Sequence, residues 1–296
     1  MSSILFDQCK DFYTSLVNSG ILSISDENVV SIADKSNKIS KATSLLLVNK
    51  LSEKYQIGFD LHTKSKGQTA GNSFEICVAN FIKGTFLKLE NLRPGNWSVE
   101  KVTGKGLVIA QFEQYSHLDY VSELASKDIQ LSSSLGTGYN ILPDVIVSRS
   151  PESDDVINQR IQFVDEAFAK HSALRQKNNA KQILHASVSC KFTLRSDRAQ
   201  NARSEALSFI RNRKGRVPHI VLVTAEPLPS RLASIALGTG DIDCVYHFAL
   251  NELLESIREM ESKEFPGISD SLELLEGMIR GKRLKDISDL PLDLAI

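Results

Sequence analysis

Apolar positions recur at helical spacing over residues 3–18 and again over roughly 26–56, where Val29, Val30, Ile32 and Ala33 precede Leu45, Leu46, Leu47 and Leu51. Side chains three and four apart share one helix face, so this spacing predicts a helical N-terminal part. A polar, glycine-containing loop spans 64–72. A helix is expected from Ser73, with Phe74, Cys77, Val78 and Phe81 as its buried stripe and Glu75 off it. The period then changes. Residues 98–113 alternate as strands do, and 142–147 reads as a short buried strand opened by Pro143, where a missing N–H is tolerated. An amphipathic helix over 156–180 comes next, followed by a strand at 185–193, a helix from 197 to about 211 and a strand at 219–224. A helix near 230–237, a strand at 244–248 and closing helices complete the order. Strands alternating with helices predict an α/β fold: a mixed, centrally parallel sheet with helices on both faces. One domain is expected over 1–296, with a helical part to about 60, the α/β core over 61–250 and C-terminal helices over 251–296.

Composition narrows the classes. Apolar content of 42% and charged content of 24% are ordinary for a globular chain long enough to bury a core. No run is long enough to span a bilayer, and residues 1–7 lack a basic segment leading into an apolar one. Cys9, Cys77, Cys190 and Cys244 are scattered without a CxxC pair, which predicts reduced thiols in a cytoplasm. No nucleophile elbow or His-paired serine supports an α/β-hydrolase site, and His185 is expected to be a core residue.

The net charge is −1, yet eight basic residues (Lys191, Arg195, Arg198, Arg203, Arg211, Arg213, Lys214, Arg216) face only Asp197 and Glu205 between 191 and 216. Acidic residues gather towards the C-terminus, at Glu252, Glu255, Glu259, Glu261 and Glu264. A locally basic face on a neutral protein suits selective DNA binding better than a uniformly basic one. A solvated, arginine-rich helix is the plainer reading of that segment by itself.

The run Val188-Ser189-Cys190-Lys191-Phe192-Thr193-Leu194-Arg195-Ser196-Asp197-Arg198 carries two chemistries. In a strand, alternate side chains share a face, so Ser189 and Lys191 point together while Val188, Cys190 and Phe192 pack inward. If the strand opened by Pro143 pairs with this one, Asp144 meets Lys191 at one edge, and Glu205 can approach from the following helix. Mg²⁺ takes one or two carboxylates plus waters and phosphate oxygens, so Asp144 and Glu205 suit it, with Lys191 beside the reacting phosphate. Singly, each has a duller role as a strand-end lysine, a turn aspartate or a solvated helix glutamate. Arginine pairs bidentately with guanine, and aspartate accepts from cytosine N4, so Arg195, Asp197 and Arg198 suit G/C readout. Ser196 or Asp197 would alternatively cap the helix.

Pro143-Asp144, then Ser189-Cys190-Lys191, Arg195-Ser196-Asp197-Arg198 and Glu205 resemble the PD-(D/E)XK nuclease signature, in the variant form of type II restriction endonucleases that recognise CCGG-centred sites. In the common form an acid sits two before the lysine. Here Ser189 takes that place and the acid returns at Glu205. The likeness extends from 33–38 through Gly67-Gln68 and Glu75 to 224–231, most of the chain.

The resemblance implies a catalytic set of Asp144, Lys191 and Glu205, with Ser189 and Glu75 beside it. It implies a Mg²⁺ site from Asp144, Glu205 and the Cys190 carbonyl. Arg195, Asp197 and Arg198 would read the inner bases, Asp34 and Arg231 the outer pair, and Gln68 the minor groove. The implied target is double-stranded DNA at GCCGGC, cut to leave 5′ overhangs by a homodimer or homotetramer in a bacterial cytoplasm. A PD-(D/E)XK repair or structure-specific nuclease would keep the metal site without paired base readers. A non-catalytic DNA-binding protein on this scaffold would not need Asp144, Lys191 and Glu205 together.

Overall fold

The chain opens with helices α1 (Ile4–Asn18), α2 (Lys38–Tyr55) and α3 (Gly67–Phe86). The computed structural model describes residues 2–59, 67–103, 108–135, 142–238 and 240–296, with 67–69 and 135 described by backbone alone. Ser3 caps α1 by accepting from the Phe6 N–H at 3.2 Å, and Asn37 caps α2 by accepting from the Ser40 N–H at 2.9 Å. Strand β1 (Trp97–Lys101), helices α4 (Leu118–Lys127) and α5 (Ile129–Leu135), strand β2 (Val145–Arg149) and the single turn α6 (Asp154–Ile157) come after it. Next are β3 (Ile183–Lys191), α7 (Ser196–Asn212), β4 (His219–Thr224), α8 (Pro229–Ala236) and β5 (Cys244–His247). Helices α9 (Leu250–Ser262) and α10 (Ser269–Arg280), strand β6 (Leu284–Asp286) and α11 (Leu290–Asp293) close the chain.

The six strands form one mixed sheet in sequence order: β1 to β3 pair antiparallel, β3 to β6 parallel. Parallel strands covered on both faces are apolar throughout rather than alternating, as Ile220–Val223 are. Helix α3 lies on the face that carries Phe192, whose ring centroid is 5.2 Å from that of Phe74. Helix α7 covers the other face, where Glu205 meets Ser189. Each fully buried Phe or Leu in these layers contributes about 1.5–3 kcal/mol relative to exposure. Two registers fix which residues meet at the sheet edge. Val145 faces Val188, which puts Asp144 beside the end of β3, and Lys191 faces Thr224, so β3 and β4 leave the sheet in step. Among the described residues no helix is long and apolar enough to cross a membrane.

The expected α/β class, the mixed sheet and the flanking helices are all present, but several expected elements differ. The helix expected over 26–56 begins only at Lys38. Val30 and Ile32 are buried two apart, an extended spacing, in a segment where Ile24 bridges Val30 and Asn28 takes a positive φ of 60°. Helix α3 starts at Gly67 rather than Ser73, so part of the expected loop is helical. Among the described residues of 98–113 only those to Lys101 belong to a strand, and Val108–Gln111 forms a 3-10 turn. The C-terminal part holds the short strand β6 as well as helices.

The largest correction concerns 156–180, which is helical only through Ile157. The segment is instead built around buried Arg175. Its Nε donates to the Asp154 carboxylate at 2.8 Å, and its other nitrogens donate to the carbonyls of Phe168 and Asp165 at 2.5 and 3.0 Å. Asn158 accepts from the N–H groups of Phe163 and Val164 at 2.8 and 2.9 Å. Asparagine side chains that satisfy nearby backbone groups compete directly with a helix.

Two buried histidines give the fold a pH signature. His185 donates from Nε2 to the Leu294 carbonyl at 2.7 Å, and His247 Nδ1 accepts from the Ala249 N–H at 3.2 Å. Burial pulls both imidazoles down to about 3. They are neutral in the fold, while in the unfolded chain they protonate near pH 6.5. Stability is therefore fully present above that pH and falls as pH drops, each histidine contributing up to about 1.4 kcal/mol per pH unit. Glu75, Glu205, Glu226 and Asp286, held above the usual carboxylate range first by burial, act in the opposite direction and offset part of this. Urea midpoints should drop between pH 7 and 5.5, and His185→Phe should flatten the dependence. Equal midpoints for the wild type would contradict this.

Candidate active site

Because β2 and β3 run antiparallel, the residue entering β2 lies beside the residues ending β3. Asp144 Oδ2 accepts from the Cys190 N–H at 2.7 Å and from Lys191 Nζ at 2.9 Å. Glu205, reaching over from α7, sits 3.8 Å from the same ammonium and accepts from Ser189 Oγ at 3.3 Å. Ser189 and Lys191 thus share one strand face, as alternation predicts, while Val188 and Cys190 are buried on the other. Burial pulls the Lys191 ammonium down, but Asp144 and Glu205 more than offset it, and the group stays above the ordinary lysine range. Glu205 is pushed up by burial and by Asp144, against the pull of Lys191. Glu75, from α3, pairs with Lys101 at 3.0 Å rather than with Lys191. Burial raises its carboxyl and Asp144 adds to the rise, so Glu75 lies within electrostatic reach of the cluster. Among the described residues no three His, Cys, Asp or Glu side chains converge as a metal cage. Asp144 and Glu205 instead flank one lysine.

A cleft of about 720 Å³ is lined by Phe192 and Thr193, which directly follow Lys191 in the chain, and by Asp34, Arg195, Arg198 and Arg231 among others. The sequence scatters these residues over 34–231, and the common exit of β3 and β4 brings them to one edge. Arg231 donates to Asp34 Oδ2. Asp34 Oδ1 accepts from both the hydroxyl and the N–H of Ser36, at 2.7 and 3.0 Å. Those Ser36 bonds, then Arg231, hold the Asp34 carboxyl down at about 2, so it is an acceptor at any working pH. Arg198 donates to Thr193 Oγ1 at 3.2 Å. Arg195 occupies the N-cap position of α7 without a side-chain capping bond, so neither Ser196 nor Asp197 caps the helix. Asp197 is exposed in the first turn, outside the cleft lining, and Gln68 lies with its side chain outside the described residues.

Sequence reasoning missed three partners. Lys101 neutralises Glu75, and nothing in its local pattern marked it. Ser36 fixes Asp34, and Asp-x-Ser spacing was the available signal. Glu226 is completely buried beneath the cleft, and its signal was an acid placed directly after an apolar strand.

Comparison with known proteins identifies the family. The family model described as NgoMIV restriction enzyme matches residues 12–296. The chain is 46% identical over 301 residues to the type II restriction enzyme NgoMIV of Neisseria gonorrhoeae, covering 100% of both chains. It is also similar to the solved Bse634I restriction endonuclease, with a TM-score of 0.35 and 14% identity over 70% of this chain and 79% of that one. A type IIF Bse634I structure with cognate DNA gives a TM-score of 0.34 and 12% identity over 90% and 91% of the two chains. The family match and the full-length identity carry the assignment without these weak structural likenesses. The chain belongs to the NgoMIV restriction enzyme family and is a type II restriction endonuclease, a hydrolase.

Proposed function

We propose that this enzyme hydrolyses double-stranded DNA in the presence of Mg²⁺ at the palindrome GCCGGC, leaving 5′ overhangs. The observation that carries the reading is the meeting of Asp34, Arg195, Arg198 and Arg231 in one cleft whose wall begins at Phe192, the residue after Lys191 of the Asp144, Lys191 and Glu205 cluster. Three guanine-type donors and a fixed carboxylate acceptor match G·C edges in the major groove. A repair or structure-specific nuclease would use the same charged cluster but has no need for these readers together. A non-catalytic binder has no need for the cluster.

The donor set fits Mg²⁺. Asp144, Glu205 and the main-chain carbonyl of Cys190 are hard oxygen donors, and two carboxylates with remaining positions left to water and phosphate are what this ion takes. When bound, Mg²⁺ polarises the phosphate and neutralises charge on it. The chain supplies the rest. Lys191, charged at neutral pH, orients the attacking water and offsets charge developing as water bonds to phosphorus and a backbone P–O bond breaks. Ser189, in the place of the usual acid, keeps Glu205 oriented by its hydroxyl bond. Glu75, held by Lys101, acts through water at the margin of the site. Gln68, at the start of α3, would test the minor groove.

A palindromic target calls for a two-fold symmetric protein, at least a homodimer and in the homotetrameric form two such pairs. Ile161, Phe163 and Phe168 stand 69%, 75% and 70% exposed on the segment organised by Arg175, apolar side chains that a second copy would cover.

Asp197→Ala tests the readout. It should weaken binding to GCCGGC by roughly 1–3 kcal/mol, the scale of one base contact, in a Ca²⁺ gel shift. Equal weakening on all sequences would make Asp197 a helix-dipole residue and not a reader.

A further inference from the structure

A carboxylate taken fully out of water costs several kcal/mol unless its partners return that energy. Glu226, at 0% exposure just beyond β4, is such a group in a place where an apolar side chain would pack at no such cost. Its partners explain its presence. Oε2 accepts from the Leu194 N–H at 2.9 Å, in the β3–α7 link directly before Arg195. Oε1 accepts from the Leu228 N–H at 3.2 Å, at the start of the helix that carries Arg231. Arg231 Nη1 lies 3.7 Å from Oε2, while its Nη2 holds Asp34. The Glu226 backbone is itself fixed, its N–H donating to Thr224 Oγ1 at 3.2 Å, and Ala225 ties back to the Phe192 carbonyl at 3.0 Å.

One side chain therefore joins both segments that present base readers. We infer that Glu226 is a positioning residue for sequence readout: it locks the inner readers Arg195, Asp197 and Arg198 to the outer pair Asp34 and Arg231, so that a wrong base at one is also felt at the other. This rests on the reading given under Proposed function and adds how its two halves communicate. The lock needs a carboxylate. Two N–H donors approach from different sides, and both oxygens must accept. Glutamine keeps the volume but turns one end into a donor facing an N–H, and it loses the attraction to Arg231.

Two measurements on full-length wild type, Glu226→Gln and Arg231→Ala decide the matter. The first is amide exchange in the DNA-free protein. In Glu226→Gln the amides of both Leu194 and Leu228 should exchange faster. Unchanged exchange at either one overturns the proposal without touching the nuclease reading. The second is the cleavage rate on duplexes carrying an outer substitution, an inner substitution, or both. Wild type should show a double substitution whose effect is not the product of the two single ones. In Glu226→Gln the effects should become multiplicative, and outer and inner discrimination should fall together by about tenfold, the scale of one buried charge-assisted bond. Arg231→Ala should lose outer discrimination alone. A Glu226→Gln enzyme that behaves like Arg231→Ala, or keeps both discriminations, overturns the coupling. Wild type that cuts all CCGG-centred duplexes equally removes Asp34 and Arg231 as readers, and the coupling falls with them.

Discussion

Lys191→Ala is expected to lower DNA cleavage by about 10²- to 10³-fold while leaving sequence-specific binding in Ca²⁺ detectable, since removing one preorganised donor at a reacting centre costs on that scale. The ammonium is 2.9 Å from Asp144 and 3.8 Å from Glu205, and those carboxylates keep it protonated. A lysine held above its usual range is a hydrogen-bond donor and a cation at neutral pH. Its removal leaves two carboxylates facing each other with no cation between them. A divalent ion would satisfy them, so metal-dependent binding survives, and the orientation of the attacking water is what is lost. Single-turnover rates in Mg²⁺ beside gel shifts in Ca²⁺ measure the two effects apart. Normal turnover by the variant would remove Lys191 from the chemistry.

Arg231→Ala should open the specificity from GCCGGC towards RCCGGY and other CCGG-centred sites, with a loss of about 1–3 kcal/mol, or roughly 5- to 150-fold, in outer-pair discrimination. Asp34 and Arg231 are about one-quarter and one-third exposed, and a pair this accessible adds only about 0–1 kcal/mol to stability. Ser36 holds Asp34 independently of the arginine, so the acceptor stays in place when the donor is gone. The change should therefore appear mainly in selectivity, with a smaller fall in melting temperature because buried Glu226 loses the nearby guanidinium. Competitive digestion of duplexes that differ only in the outer base pair reads it directly. Unchanged selectivity with a large drop in stability would make Asp34 and Arg231 a structural pair.

The sequence revealed most where chemistry and period coincide. The alternation of Ser189 and Lys191 against Val188, Cys190 and Phe192 placed the charged face of β3, and the strand at 219–224 stands where the pattern put it. The approach of Asp144 to Lys191 depends on β2–β3 pairing, which no local signal encodes, and the register Val145 to Val188 supplies it. The failures share a cause. At 26–37 and 158–180, apolar residues fell by chance at helical spacing, while Asn and Asp side chains and the guanidinium of Arg175 took the backbone partners that a helix would have used. Glu226 was marked only as an acid following an apolar strand. Its importance lies in backbone donors from two segments that are distant in sequence and adjacent only in the sheet.

Digestion of a plasmid with mapped GCCGGC, RCCGGY and unrelated CCGG sites, with and without Mg²⁺, is the decisive measurement. Mg²⁺-dependent cutting confined to GCCGGC is the expected result. Specific binding without any cutting, or cutting unrelated to CCGG, would contradict the proposed activity.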